Sequence, residues 1–230
     1  MTRPARDLGE GPLHRVATVT YWFVAIEVLL VLTTAPGLVA VLFLDRHPSN
    51  LPLYALAAVP VGPALAAAVF AWRVFLRERD PSPAQHFWRG YRLNWQDALR
   101  SWVPALVVLV ILGMNLAYRD AVGVPASFAV LYVVLGVAVL LWAVRMVALT
   151  ATFSFRWRDA ARLGAYTLAT RPLVTLGLLS LLVLAAGIAF VTFDAVVVLL
   201  ASLLTFFVVR NEAPVLADVE ARYVAPGPRA

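Results

Sequence analysis

Hydrophobic positions along this chain fall in long, nearly unbroken runs, where a soluble strand or surface helix would alternate apolar and polar residues. Such runs cover 16–44, 51–76, 102–118, 121–152, 172–193 and 195–209, and most charged residues fall in the intervals between them. Most runs reach the roughly 20 residues that carry a helix across about 30 Å of hydrocarbon. Lipid offers no partner to a free peptide group, so each run must satisfy its own backbone as a helix. The pattern predicts an all-α, polytopic transmembrane helical bundle of about six spans, at 16–35, 52–76, 102–118, 125–149, 172–191 and 195–210. These form one transmembrane domain over 16–210, between a polar segment 1–15 and a flexible tail 211–230.

Proline, glycine and turn formers mark the expected breaks. The first run is too long for one crossing, and Pro36 and Gly37 are expected to end the first span, leading to a turn at Asp45, Arg46, His47, Pro48, Ser49 and Asn50. Pro60, Gly62 and Pro63 predict a kink in the second span, tolerable in lipid where neighbouring helices satisfy the freed carbonyl. Short connections at Arg119–Asp120 and around Asp194 predict two tight hairpins.

Two of the polar intervals have a helical pattern of their own. Ser82, Pro83 and Gln85 supply an N-cap, a first-position proline and a capping-box partner. Phe87, Trp88, Tyr91, Trp95, Ala98, Leu99 and Trp102 then recur at three- and four-residue spacing, with Arg89, Arg92 and Arg100 opposite. This predicts a short amphipathic helix lying at the headgroup boundary, or a fresh helix capped by Asn94 that runs into the third span. A related stretch follows the fourth span: Trp95, Asp97, Ala98 and Arg100 recur as Trp157, Asp159, Ala160 and Arg162, flanked by Arg156 and Arg158. A parallel repeat would place both elements on one side of the membrane, although an Ala- and Arg-rich chain also produces such matches by coincidence.

Charge adds an orientation. The chain is 62% hydrophobic and 14% charged, against about 25% charged in soluble domains. All 19 basic residues are arginine. With a cytoplasmic N-terminus, only Arg46 and Arg119 fall outside, which leaves 17 of the 19 arginines inside. That is the positive-inside pattern, and an even number of spans puts both termini in the cytoplasm. The net charge of +6 is spread between apolar segments and forms no single basic face, so nucleic acid is not an expected partner. The first apolar run is too long for a signal-peptide core and is read as an uncleaved span. Absence of lysine and scarcity of isoleucine suit GC-rich coding, hence a bacterial cytoplasmic membrane. With no cysteine, disulfides and thiolate chemistry are excluded.

Candidate chemistry is sparse. Glu27 is an acid deep in an apolar run, where a charge costs on the order of 2.5–3.5 kcal/mol. It is read either as a contact for an ion, proton or solute, or as a carboxyl that pins helix packing. No partner base is visible, which favours packing; Asn115, Thr33, Thr34 and Ser180 are the polar residues at comparable depth. Arg73 and Arg145, beside Trp72 and Trp142, are expected to snorkel to the interface. His14, His47 and His86 lie on different segments and cannot form one metal site. Catalytic and nucleotide-binding motifs are missing, so no enzyme, cofactor or metal is expected.

The stretch Val59-Pro60-Val61-Gly62-Pro63-Ala64-Leu65-Ala66-Ala67-Ala68, then Phe70, the arginines from Arg73 to Arg79, and Phe87-Trp88-Arg89-Gly90-Tyr91-Arg92-Leu93-Asn94-Trp95, resembles the YesL-like family of bacterial membrane proteins, a domain of unknown function. The specific likeness covers about 59–102. This chain departs from the family pattern just after Pro60 and in the segment 36–50. The resemblance implies a multi-span accessory to carbohydrate ABC transport and offers no catalytic residues. The leading expectation is therefore a non-enzymatic accessory or regulatory protein. Its partners would be the lipid bilayer together with a sugar transporter or a second copy of itself. The alternative is a small-solute transporter or channel using the kinked second span and Glu27.

Overall fold

Each apolar run becomes helix, since only helical hydrogen bonding satisfies the peptide groups of a segment surrounded by hydrocarbon. A computed structural model describes residues 12–78, 80–191 and 194–223. Its elements are α1 (Pro12–Leu42), a 3-10 turn (Pro48–Asn50), α2 (Leu51–Ala57), α3 (Val61–Glu78), α4 (Pro83–Tyr118), α5 (Ser127–Thr150), α6 (Trp157–Thr170), α7 (Pro172–Val191), α8 (Asp194–Leu199) and α9 (Ala201–Tyr223). No strand occurs among the described residues. Most of the predicted segment 1–15, Arg79 and the end of the predicted tail, 224–230, lie outside them.

Among the described residues, four helices are long and apolar enough to cross a membrane: α1 from Val16, α4, α5 and α7. The 3-10 turn and α2 join α3 as a fifth candidate, bent by 43°. The sixth expected run is divided between α8 and α9, and neither passes that test alone.

α3 is the central helix, with ten of its eighteen residues buried, most of them small. Small side chains let helix backbones approach closely when lipid supplies no hydrophobic drive between them. The aromatic face of α4 fills the space they leave. Phe87, Ala98, Trp102 and Ala105 are buried against α3, and Gly90 fits beside the Phe70 ring. At the other extreme, α7 buries only Leu178 among its described residues and turns Leu176, Val183, Leu184 and Phe190 outward, as a lipid-facing helix does.

Three sequence expectations are corrected here. α1 does not stop at Pro36 but runs through it to Leu42. Gly37 marks a close approach: a Cβ there would overlap the carbonyl oxygen of Ala57 at the end of α2. The amphipathic stretch from Pro83 is not a separate helix lying flat at the headgroups. It is the first half of a single 36-residue helix, about 54 Å long, because Phe87, Tyr91, Ala98 and Trp102 of its periodic face pack in the core with α3, while Trp88 and Trp95 stay exposed. Asn94 caps nothing and donates to the Gly90 carbonyl within the same helix at 2.9 Å. Residues 211–223 are not a flexible tail but the second half of α9, with Glu212, Val215, Leu216 and Val219 buried.

The kink in the second run is a full break. α2 ends at Ala57 and α3 begins at Val61, with Pro60 between them and Gly62 and Pro63 buried in the first turn of α3. The Trp102 indole of α4 donates to the Ala58 carbonyl at 2.9 Å and so satisfies an oxygen at the break. Its ring lies so close to Gly62 that a Cβ there would stand 2.6 Å from Cγ.

Candidate functional site: buried polar contacts and the arginine-rich end

Glu27 meets the start of α9. Its Oε2 accepts the backbone N–H of Ser202 at 2.7 Å. Ser202 lies in the first turn of α9, where helical N–H groups have no intrahelical acceptor and carry a partial positive charge. Glu27 thus caps, from another helix, the end created by the break at Leu200 between α8 and α9. Below it, Phe23, Trp72 and Phe206 pack ring against ring, with centroids 4.6 Å and 5.1 Å from Trp72, fastening α1, α3 and α9 together.

None of the polar residues read as its companions reaches Glu27. Thr33 and Thr34 donate to Leu29 and Leu30 carbonyls at 2.7 Å, Asn115 to Ile111 at 2.7 Å, and Ser180 to Leu176 at 2.9 Å. Each hydroxyl or amide is spent on its own helix. Asn115 is exposed on α4 and is not brought to Glu27.

The most buried charge is one that the sequence pointed elsewhere. Arg145 does not snorkel: its side chain and that of Glu212 are both fully buried. The guanidinium grips the carboxylate with two parallel bonds, Nε to Oε2 at 2.9 Å and Nη2 to Oε1 at 3.0 Å. Nη1 donates to Thr175 Oγ1 at 3.3 Å, and the Asn211 amide bonds the Val174 carbonyl at 2.9 Å. α5, α7 and α9 are joined at one point. Gly177 makes room for it, since a Cβ there would collide with the Asn211 side chain.

Glu212 is the first of three acids on α9 that pair with other segments. Asp218 accepts from Arg171, in the link between α6 and α7, at 2.9 Å, and from Arg222 at 2.9 Å. Glu220 accepts from Arg77 of α3 at 3.3 Å. Hydrogen bonding from Arg171 holds the Asp218 carboxyl below the ordinary carboxylate value. Sequence reasoning missed these acids because their partners lie up to 143 residues away. The available signal was the helical stripe that continues past 210: Val209, Glu212, Leu216 and Val219 recur at three- and four-residue spacing and share one face with Val215.

Around this latch stands the arginine-rich end of the bundle. Arg89, Arg92, Trp95 and Arg100 on α4, and Arg156, Trp157, Arg158 and Arg162 at or in α6, are all exposed. Arg100 pairs with Asp97 at 2.9 Å, and the Arg158 guanidinium lies 5.8 Å from the Trp157 ring centre. α6 is amphipathic as expected and is fixed in place: Ala160, Gly164 and Thr167 are buried, and the Trp142 indole donates to the Ala161 carbonyl at 3.1 Å. The repeated motif has matching faces in its two copies, with Ala98 and Ala160 buried and Trp95 and Trp157 exposed. At the start of α4 the Ser82 side chain makes no cap bond. Asp80 instead accepts the Ser82 amide at 2.8 Å, which lowers the Asp80 carboxyl from its ordinary value, and pairs with His86 at 3.3 Å. No cluster of three or more metal-ligating side chains occurs among the described residues.

A helical bundle with lipid-facing walls, paired internal charges and a basic end is a polytopic membrane protein. Within it, residues 18–116 match the model of a family described as "Protein of unknown function, DUF624". The matched stretch runs from α1 through nearly all of α4, and so holds Glu27, the broken second segment and the arginines of α4. No curated protein matches the chain, and no solved structure does.

Proposed function

We propose that this protein is a non-enzymatic accessory or regulatory component of a bacterial cytoplasmic membrane, which holds an arginine-rich platform at the cytoplasmic surface for anionic lipid and a transport partner. The observation that carries this reading is the exposed set Arg89, Arg92, Arg156, Arg158 and Arg162, interleaved with exposed Trp88, Trp95 and Trp157. Arginine and tryptophan are the side chains suited to the headgroup layer, and basic clusters there draw anionic lipid. The helices bearing them are anchored by buried alanines, a tryptophan hydrogen bond and α9, so the platform is rigid. The likeness to the YesL-like family names the partner class, a carbohydrate ABC transporter. Glu27 fits this reading as a packing residue, since its carboxylate already serves α9. In this arrangement the chain crosses six times, with α2–α3 and α8–α9 as broken spans and both termini in the cytoplasm.

A photo-crosslinking amino acid at Arg89, Arg92 or Arg158 tests the proposal in intact cells. Capture of a transporter subunit is the expected result, and capture of lipid alone at all three positions refutes the partner. Compartment-sensitive reporters fused at Asn50 and at Ser82 are expected to report opposite sides.

A further inference from the structure

The end of the bundle away from the arginine platform holds a groove of about 940 Å³. Its long wall is the last third of α1, from Val31 to Leu42, and it is closed by Leu51 of α2 and Leu199 of α8. Loop 43–50 arches over its mouth. That loop is internally braced: the Asn50 amide donates to the Asp45 carbonyl at 3.0 Å, the Tyr54 hydroxyl to the Leu44 carbonyl at 3.1 Å, and His47 Nδ1 lies 2.8 Å from Ser49 Oγ. Arg46 and His47 line the mouth, and no acidic side chain among the described residues lines the groove.

The wall fixes the length of what fits. The twelve residues of helix from Val31 to Leu42 rise about 17 Å, roughly half of a hydrocarbon core of about 30 Å, which is one leaflet. Leu42 and Leu199 stand 81% and 66% exposed in that wall, an arrangement that hydrocarbon covers without cost and water does not. We infer that the groove seats one phospholipid of the adjoining leaflet, its acyl chain along α1 and its anionic phosphate at Arg46 and His47. This site lies at the opposite end from the platform, and its occupancy does not depend on the platform's having a partner.

The test uses phosphatidylglycerol and phosphatidylcholine with the same diazirine-bearing acyl chain, in vesicles holding the full-length protein, with the labelled peptides mapped. The expected result is labelling of the 31–42 and 198–199 segments by the phosphatidylglycerol probe. Unlabelled phosphatidylglycerol should compete for it and unlabelled phosphatidylcholine should not. Arg46→Gln, at an exposed position, is expected to weaken that labelling roughly fivefold and leave labelling of α5 and α7 unchanged. Arg119→Gln, at the same end but outside the groove, is expected to change neither, and Leu38→Trp, which fills the groove, should abolish the groove label. Equal labelling by both probes, or groove labelling indifferent to Arg46→Gln, would overturn the assignment. Absence of label from the 31–42 segment would do the same.

Discussion

Removing the Glu212 carboxylate while leaving Arg145 in place is expected to destabilise the protein more than any other single change at this site. Both side chains are fully buried, and Arg145 loses two of its three side-chain hydrogen bonds at once. Stripping one member from a buried pair leaves an uncompensated charge and costs about 3–5 kcal/mol, whereas replacing both by apolar side chains of similar volume is often close to neutral. Against a total stability of about 5–15 kcal/mol, Glu212→Leu or Arg145→Met therefore removes a large share, and the double variant regains most of it. The assay is a double-mutant cycle on the purified protein in detergent, unfolded by a denaturing surfactant and followed by tryptophan fluorescence. A coupling energy above about 2 kcal/mol is expected, since residues in direct contact are not additive. Single variants within about 0.5 kcal/mol of wild type, or a double variant equal to the sum of its singles, would refute the claim that this pair is sealed from water and lipid headgroups.

Glu27→Gln keeps a carbonyl oxygen for the Ser202 amide and is expected to leave stability and abundance almost unchanged, while Glu27→Leu orphans the start of α9 and costs about 1–3 kcal/mol; equal effects of the two would dismiss the capping role. Gly62→Ala drives a methyl into the Trp102 ring and is expected to cost about 1–3 kcal/mol in thermal unfolding, with Trp102→Phe losing in addition the bond to Ala58. Asp218 has a depressed pKa, so its contribution to seating α9 is complete above the ordinary value of 3.8 and is lost as pH falls through the lower folded value. Amide exchange over 215–223 should therefore accelerate only below that pH, and Asp218→Asn should abolish the step; exchange flat across the range would exclude this linkage.

Sequence reasoning located the helical runs, the broken second segment at Pro60, the start of α4 at Pro83 and the amphipathic character of α6, because each is written in local periodicity or in proline and glycine. It read Pro36 as a terminus, although proline is tolerated inside a membrane helix, and α1 continues through it to bring Gly37 against Ala57 of α2. The aromatic stripe of α4 carries the same spacing whether it faces headgroups or the alanines of α3, so periodicity could not choose between them. Arg145 beside Trp142 has the local look of a snorkelling pair, and its true partner is 67 residues away. The same blindness turned Glu212, Asp218 and Glu220 into a solvated tail. Glu27 stood out by depth alone, but its acceptor role toward a backbone amide of α9 leaves no trace in side-chain identities.

α9 is the last of these helices to leave the ribosome, and it brings what two earlier ones lack. Until it arrives, α5 holds a guanidinium and α1 a carboxylate in an apolar setting with neither of these contacts made. Seating the final helix pairs the guanidinium with Glu212 and gives one carboxylate oxygen of Glu27 the Ser202 amide, and it draws α3, α5 and the α6–α7 link against it. A chain that lacks α9 thus leaves Arg145 without its carboxylate and Glu27 without its amide, two local marks by which an unfinished bundle differs from a finished one.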